Sequence, residues 1–183
     1  RQRRLFRVAV WAGGFLGGLQ KIFQRIVLRD AEKIVLVGFP QVEGYLVYVL
    51  LYHIAAKAVV VNVGGDMATI MAGLACGEPN PLGWPLLRNC ATQFISCQDK
   101  VAALGMRVLG NPLGSDPRIV SGESGAVGLG VLAAVHHHPK REELMQQLGL
   151  NHDSVVLLIS TEGDTDVKHY REVVWEGKHP ACS

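Results

Sequence analysis

The four cysteines of this 183-residue sequence, Cys76, Cys90, Cys97 and Cys182, include no C-x-x-C pair, and no histidine stands at finger spacing from them. That removes the usual frame of a structural zinc site. Three of the four lie in apolar or mixed segments, which fits reduced thiols in a cytoplasmic protein better than a disulfide framework. Charge is sparse as well. At 19% charged residues and a formal net charge of +2, the chain carries too little excess charge to argue for a nucleic-acid partner. Several chemical signatures are missing. "SGESGAVG" (121–128) has the wrong spacing for the G-x-S-x-G elbow of a Ser-His-Asp hydrolase. "AGGFLGG" (12–18) is neither a Walker loop nor a clean G-x-G-x-x-G. Asp164 and Asp166 form a D-x-D without the later glycine and distal glutamate of a calcium loop. No metal site is expected.

Uninterrupted membrane-length runs are lacking too. "YLVYVLLYHIAAKAVVVNV" (45–63) is long enough, but His53 and Lys57 sit inside it. A lysine at mid-bilayer costs roughly 2.5–3.5 kcal/mol, so the segment reads as a buried helix followed by a strand, with no membrane partner. "RQRRLFR" followed by "VAVWAGGFLGGL" has the order of a signal sequence. Its apolar part is only about a dozen residues, and no small-x-small site follows it. The first residue is Arg1 rather than methionine, so the chain reads as a fragment, a processed product or a partial reading. There is no internal repeat and no low-complexity tract.

What is present describes one globular domain with a core: 49% of the residues are apolar. Residues 1–60 hold nine Lys/Arg against three Asp/Glu, and residues 61–183 nine against thirteen, so the character changes near residue 60. Strand-like runs alternate with helix-like ones. Strands are expected at 33–39, 58–63, 118–121 and 154–160. Helices are expected at 12–29, 43–57, 66–75, across "LLRNCATQFI", at 98–110, at 125–138 and at 140–149, with Gly149 closing the last. The near-continuous apolar strands suit a largely parallel sheet with helices on both faces, an α/β fold.

Two strand-to-loop junctions collect polar residues. At the first, Ser124 lies among Gly122, Gly125, Gly128 and Gly130. It can act as a helix N-cap, or it can face a ligand at the carboxyl end of a parallel strand, where open α/β sheets bind. The second gathers Ser160, Thr161, Glu162, Asp164 and Asp166, and reads as a ligand-facing or dimer-facing loop. His136, His137 and His138 cannot converge while helical, since successive side chains point about 100° apart. They are expected to complement the negative end of the helix dipole ahead of Pro139. The glycines of "AGGFLGG" could cup a phosphate at a helix start.

The stretch from residue 60 to 180, above all "GLACGEPNPLGW" (73–84) and "ISTEGDTD" (159–166), closely resembles the C-terminal part of the 2,3-diaminopropionate ammonia-lyase family. Those enzymes depend on pyridoxal 5′-phosphate (PLP) and share the tryptophan-synthase-β fold, PLP fold type II. The resemblance implies a lyase that turns 2,3-diaminopropionate, a small amino acid, into pyruvate and ammonia, as a homodimer. It implies that residues 60–183 are the C-terminal part of the PLP-binding α/β domain. Residues 1–59 would be a diverged segment keeping a remnant of the glycine-rich phosphate loop at Gly13 and Gly14, with earlier glycines replaced by Arg7, Ala9 and Val10. "Glu123-Ser124-Gly125-Ala126" matches the family's small hydroxyl before a Gly-Ala helix start, which makes Ser124 the partner of the pyridine nitrogen. Gly65, Asp66 and Thr161 join the implied cofactor-binding set. No catalytic residue is assigned. The Schiff-base lysine of the family lies upstream of its glycine loop, and Lys21, Lys33, Lys57, Lys100, Lys140, Lys168 and Lys178 match no such context. The chain alone is therefore expected to be inactive. The alternative is a non-catalytic remnant or dimerisation piece of such an enzyme.

Overall fold

A computed structural model of the chain describes residues 7–12, 33–37, 57–63, 69–71, 85, 88–89, 91–152, 154–160 and 163–181. Five strands, β1 (Arg7–Ala12), β2 (Lys33–Val37), β3 (Lys57–Val63), β4 (Ala91–Cys97) and β5 (Val155–Ser160), form one sheet. Their order is β1-β5-β2-β3-β4, and every pairing is parallel. The class is α/β, as the alternation of apolar runs predicts. Because all strands run the same way, their carboxyl ends, at Ala12, Val37, Val63, Cys97 and Ser160, share one edge.

Four helices accompany the sheet among the described residues: α1 (Asp99–Gly110), α2 (Glu123–His137), α3 (Arg141–Gln147) and α4 (Val167–Val174). Helix α2 is apolar on most sides, and it is buried between β5 and α1. The period-two face of β5 presents Val156, Leu158 and Ser160 inward. Val156 and Leu158 meet Val127 and Val131 of α2 in the main core, together with Ala102 and Met71. A second cluster on the far side of α1 joins Ala103, Met106 and Leu109 to Ala126 and to Tyr170, Val173 and Val174 of α4. Helix α2 thus covers one face of the sheet. No helix among the described residues is long and apolar enough to cross a membrane.

Helix α1 and helix α2 approach closely enough to exclude even a methyl group. A Cβ at Gly105 would overlap the Ala126 carbonyl, and one at Gly130 would overlap the Val101 carbonyl. Arg107, on another side of α1, donates to the carbonyls of Val173, Lys178 and His179 at 2.9–3.1 Å and ties the tail after α4 to α1.

Several expectations are corrected. Residues 118–121 do not enter the sheet: Ile119 donates its N–H to Leu109 O at 3.0 Å, and Ile119 and Val120 pack on the second cluster. Their apolarity serves α1 and α4, which a short run cannot reveal. "LLRNCATQFI" is not one helix. Residues 88–89 are helical, but Ala91–Cys97 pair with β3 as the sheet's edge strand, where half-buried Gln93, Ile95 and Cys97 alternate with exposed Phe94 and Ser96. Residues 69–71 are not helical, and Arg7–Ala12 form a strand that the basic opening segment does not announce. Gly149 does close α3. It takes φ +58°, while Leu150 N–H returns to Met145 O at 2.7 Å. The expected helices 12–29 and 43–57 lie outside the described residues.

Candidate functional site

The carboxyl edge of a parallel sheet leaves strand ends and helix starts facing one another, the usual place for a ligand in open α/β folds. Here the last residue of β5, Ser160, meets the segment leading into α2. The hydroxyls of Ser121 and Ser160 lie 2.7 Å apart and share a hydrogen bond, and the two residues are 1% and 2% exposed. Ser121 donates to the Gly122 carbonyl at 3.1 Å, which leaves Ser160 as donor within the pair. A Cβ at Gly125 would stand 2.5 Å from Ser160 Oγ, 2.6 Å from Ser121 Oγ and 3.1 Å from Ser160 Cα, so a side chain there would have to displace the two hydroxyls.

Ser124 lies between these contacts. Helix α2 begins at Glu123 with Gly122 as its N-cap, and no side chain caps it. The N-cap reading of Ser124 is therefore corrected: the serine is already inside the first turn. It is 8% exposed, and its hydroxyl makes no hydrogen bond among the described residues. Solvent reaches this hydroxyl, which is not among the buried side-chain atoms left without a partner, so it is open to a ligand at the carboxyl edge. Its neighbour Glu123 faces α4, with Oε1 3.1 Å from His169 Nε2. His169 also stands 3.9 Å from Glu172, whose carboxyl is held below its usual range chiefly by a hydrogen bond from Lys178.

The other implied cofactor residues, Gly13, Gly14, Gly65, Asp66 and Thr161, lie outside the described residues. Their sequence positions follow strand ends: Gly13 comes directly after β1, Gly65 two residues after β3 and Thr161 directly after β5. In register, Ala12 lies beside Ser160. At the other end of the edge, burial and then the charge of Asp99 push the Cys97 thiol up to about 11. Asp99 accepts from Thr69 Oγ1 at 2.7 Å and from Ile70 N–H at 3.1 Å, fixing the short segment 69–71.

Asp166 is the N-cap of α4, accepting from His169 N–H at 2.9 Å. Among the described residues, no group of three or more His, Cys, Asp or Glu is placed to hold a metal. His136 and His137 lie in the last turn of α2 with His138 as its C-cap, as expected, while burial, then Arg141 and His137, lower the pKa of His136. Sequence reasoning missed the role of Ser121 and the pairing of Glu123 with His169. The only signal available was that both Ser121 and Ser160 end short apolar runs.

No family model matches this chain. Over 129 residues, 70% of its length, it is 81% identical to diaminopropionate ammonia-lyase of Escherichia coli strain K12, of which the match covers 32%. The enzyme of the same description from Salmonella typhimurium is 50% identical over 117 residues, 63% of this chain and 29% of the relative. The chain thus spans about a third of the length of the curated relatives it matches. Among solved structures, E. coli diaminopropionate ammonia lyase in complex with an aminoacrylate-PLP azomethine reaction intermediate superposes with a TM-score of 0.77 at 57% identity, covering 88% of this chain and 46% of that one. The processed form of threonine deaminase isoform 2 from Solanum lycopersicum superposes at 0.60 with 12% identity, over 86% of this chain and 45% of that one, and shares the fold alone. The chain is a homologue of diaminopropionate ammonia-lyase, similar to a portion of it.

Proposed function

We propose that this chain is the C-terminal portion of a PLP-dependent ammonia-lyase of fold type II, which acts on 2,3-diaminopropionate to give pyruvate and ammonia. The observation that carries this reading is the 81% identity over 129 residues. The local chemistry fits the cofactor. An uncharged hydroxyl, Ser124, stands at the carboxyl edge, next to Gly125, which packs against the hydroxyls of Ser121 and Ser160. Ser124 donates to the pyridine nitrogen; Gly13 and Gly14 offer backbone N–H groups to the phosphate; Gly65, Asp66 and Thr161 complete the set. PLP, when bound, supplies the electron sink for elimination, and the protein orients it and tunes its ring. A neutral donor does so without enforcing a positive charge on the ring. Residues 60–183 form this cofactor-holding part, and residues 1–59 contribute a diverged phosphate loop. The intact enzyme is a homodimer in the cytoplasm, in keeping with cysteines that show no disulfide spacing.

None of the seven lysines sits in the context of a Schiff-base lysine, so the chain by itself binds the cofactor without turning over substrate. A second reading, a non-catalytic remnant or dimerisation piece, draws on the one-third coverage of the relatives. One experiment separates them. The purified chain is titrated with PLP by absorption, and pyruvate release from 2,3-diaminopropionate is assayed. The proposal expects saturable PLP binding and no pyruvate. Ser124→Ala should weaken binding about 3- to 10-fold, the worth of one net hydrogen bond, and shift the cofactor band. Since Gly122 is the cap, the melting temperature should hold. Absence of saturable binding favours the remnant. Steady pyruvate release abolished by mutating one of the seven lysines would overturn the expected silence.

A further inference from the structure

The Ser121–Ser160 pair is not required by the reading above, and packing alone does not call for it. Ser160 continues the row of Val156 and Leu158 that β5 turns toward α2, a position at which a small apolar side chain would fill the same space. Replacing both partners of a buried hydrogen bond by apolar groups of like shape is nearly neutral for stability. What the hydroxyls add is direction. Their bond, at 2.7 Å, fixes the end of β5 to the residue preceding the Gly122 N-cap. Four residues on, Gly125 rests against the same two oxygens, and a Cβ there would meet both at 2.5–2.6 Å. The first turn of α2 is therefore bonded at one point and stopped at another. Ser124, whose hydroxyl has no partner among the described residues, is carried between them.

We propose that Ser121 and Ser160 are positioning residues, which set the placement of the α2 first turn on the end of β5 and thereby bring the Ser124 hydroxyl to the cofactor ring. This rests on the PLP reading. The test is PLP titration of the full chain carrying Ser121→Ala, Ser160→Ala, both, and each of these on Ser124→Ala. Affinity and the absorption of the bound cofactor are read alongside the melting temperature. Each single change should weaken PLP about 3- to 10-fold and shift the cofactor band, the worth of one net hydrogen bond. The double variant should be no worse than either single one. On the Ser124→Ala background neither change should lower affinity further, because the group they position is gone. Ser160→Cys, close in volume but a weak donor, gives the same reading where alanine unfolds the chain: reduced affinity at a retained melting temperature. Unchanged affinity and band beside a lowered melting temperature would make the pair structural only. Losses that add in full to that of Ser124→Ala would show action independent of Ser124. Either result overturns the proposal while leaving the cofactor reading intact. If the unsubstituted chain binds no PLP, both fall together.

Discussion

Helix α2 meets its two neighbours in opposite ways. Against α1 the contact is backbone on backbone, with Gly105 and Gly130 each leaving no room for a methyl beside an opposing carbonyl. Against the end of β5 the close contact is made through two serine hydroxyls, with Gly125 seated on them. The first contact demands smallness and nothing else. The second demands smallness, polarity and direction. One helix thus carries a face whose residues answer to packing and an end whose residues answer to chemistry, although both look like a glycine-rich apolar run.

The largest effect that would sharpen this contrast is at the dry crossing. Gly130→Ala gains about 1 kcal/mol in helix propensity. The overlap with the Val101 carbonyl forces the helices apart, and overpacking of this kind costs about 3 kcal/mol or more where the obstacle is backbone. The net loss of about 2 kcal/mol should lower the melting temperature by about 4–8 °C for a chain of this size. PLP affinity of the folded fraction should not change. A melting temperature that rises would show that the crossing has slack.

Gly125→Ala should do the reverse. Its obstacles are two hydroxyl oxygens that can rotate away at the cost of their shared bond, about 0.5–1.5 kcal/mol, partly offset by helix propensity. Thermal melting should therefore move little while PLP affinity falls. A variant that keeps full PLP affinity would erase the distinction between the two contacts.

The smallest effect concerns the far end of the same edge. With burial and Asp99 holding the Cys97 thiol near 11, its thiolate is scarce at neutral pH. Alkylation at Cys97, followed site by site with mass spectrometry, should be slow in the native chain at pH 7–8. It should rise steeply only as the pH approaches 11. Fast labelling at neutral pH would mean that this end of the edge is wetter than the serine-lined end.

How much of this was legible depends on the kind of signal. Helix α1 and strand β5 could be read because their apolar residues keep a period or an unbroken run, and α2 because no polar residue interrupts it. Strand β4 could not. "LLRNCATQFI" has the length and spacing of a helix, and it is pairing with β3 that selects the extended form for Ala91 to Cys97. Ile119 and Val120 erred the other way: two apolar residues next to a loop look like a strand, yet their partners are α1 and α4. At the site, Ser124 was picked out by its glycine neighbours. Ser121 was not, because its value lies in an oxygen contributed from 39 residues away. Contacts of that range leave no trace in local pattern.

Strand β5 is inserted between β1 and β2, and Arg7 pairs with Val155. Strand β1 must therefore wait for β5. Until residue 160 is available, β1 lacks its only neighbour among the described strands and β2 lacks its partner on the β5 side, while β2, β3 and β4 can already associate. Loop closure across the long segment between Ala12 and Val155 makes this insertion slow, and the waiting edges are open to pairing with other chains. A polypeptide halted before β5 would lose more than one strand. It would leave a three-stranded sheet and a stranded β1, with α2 lacking the surface on which it lies.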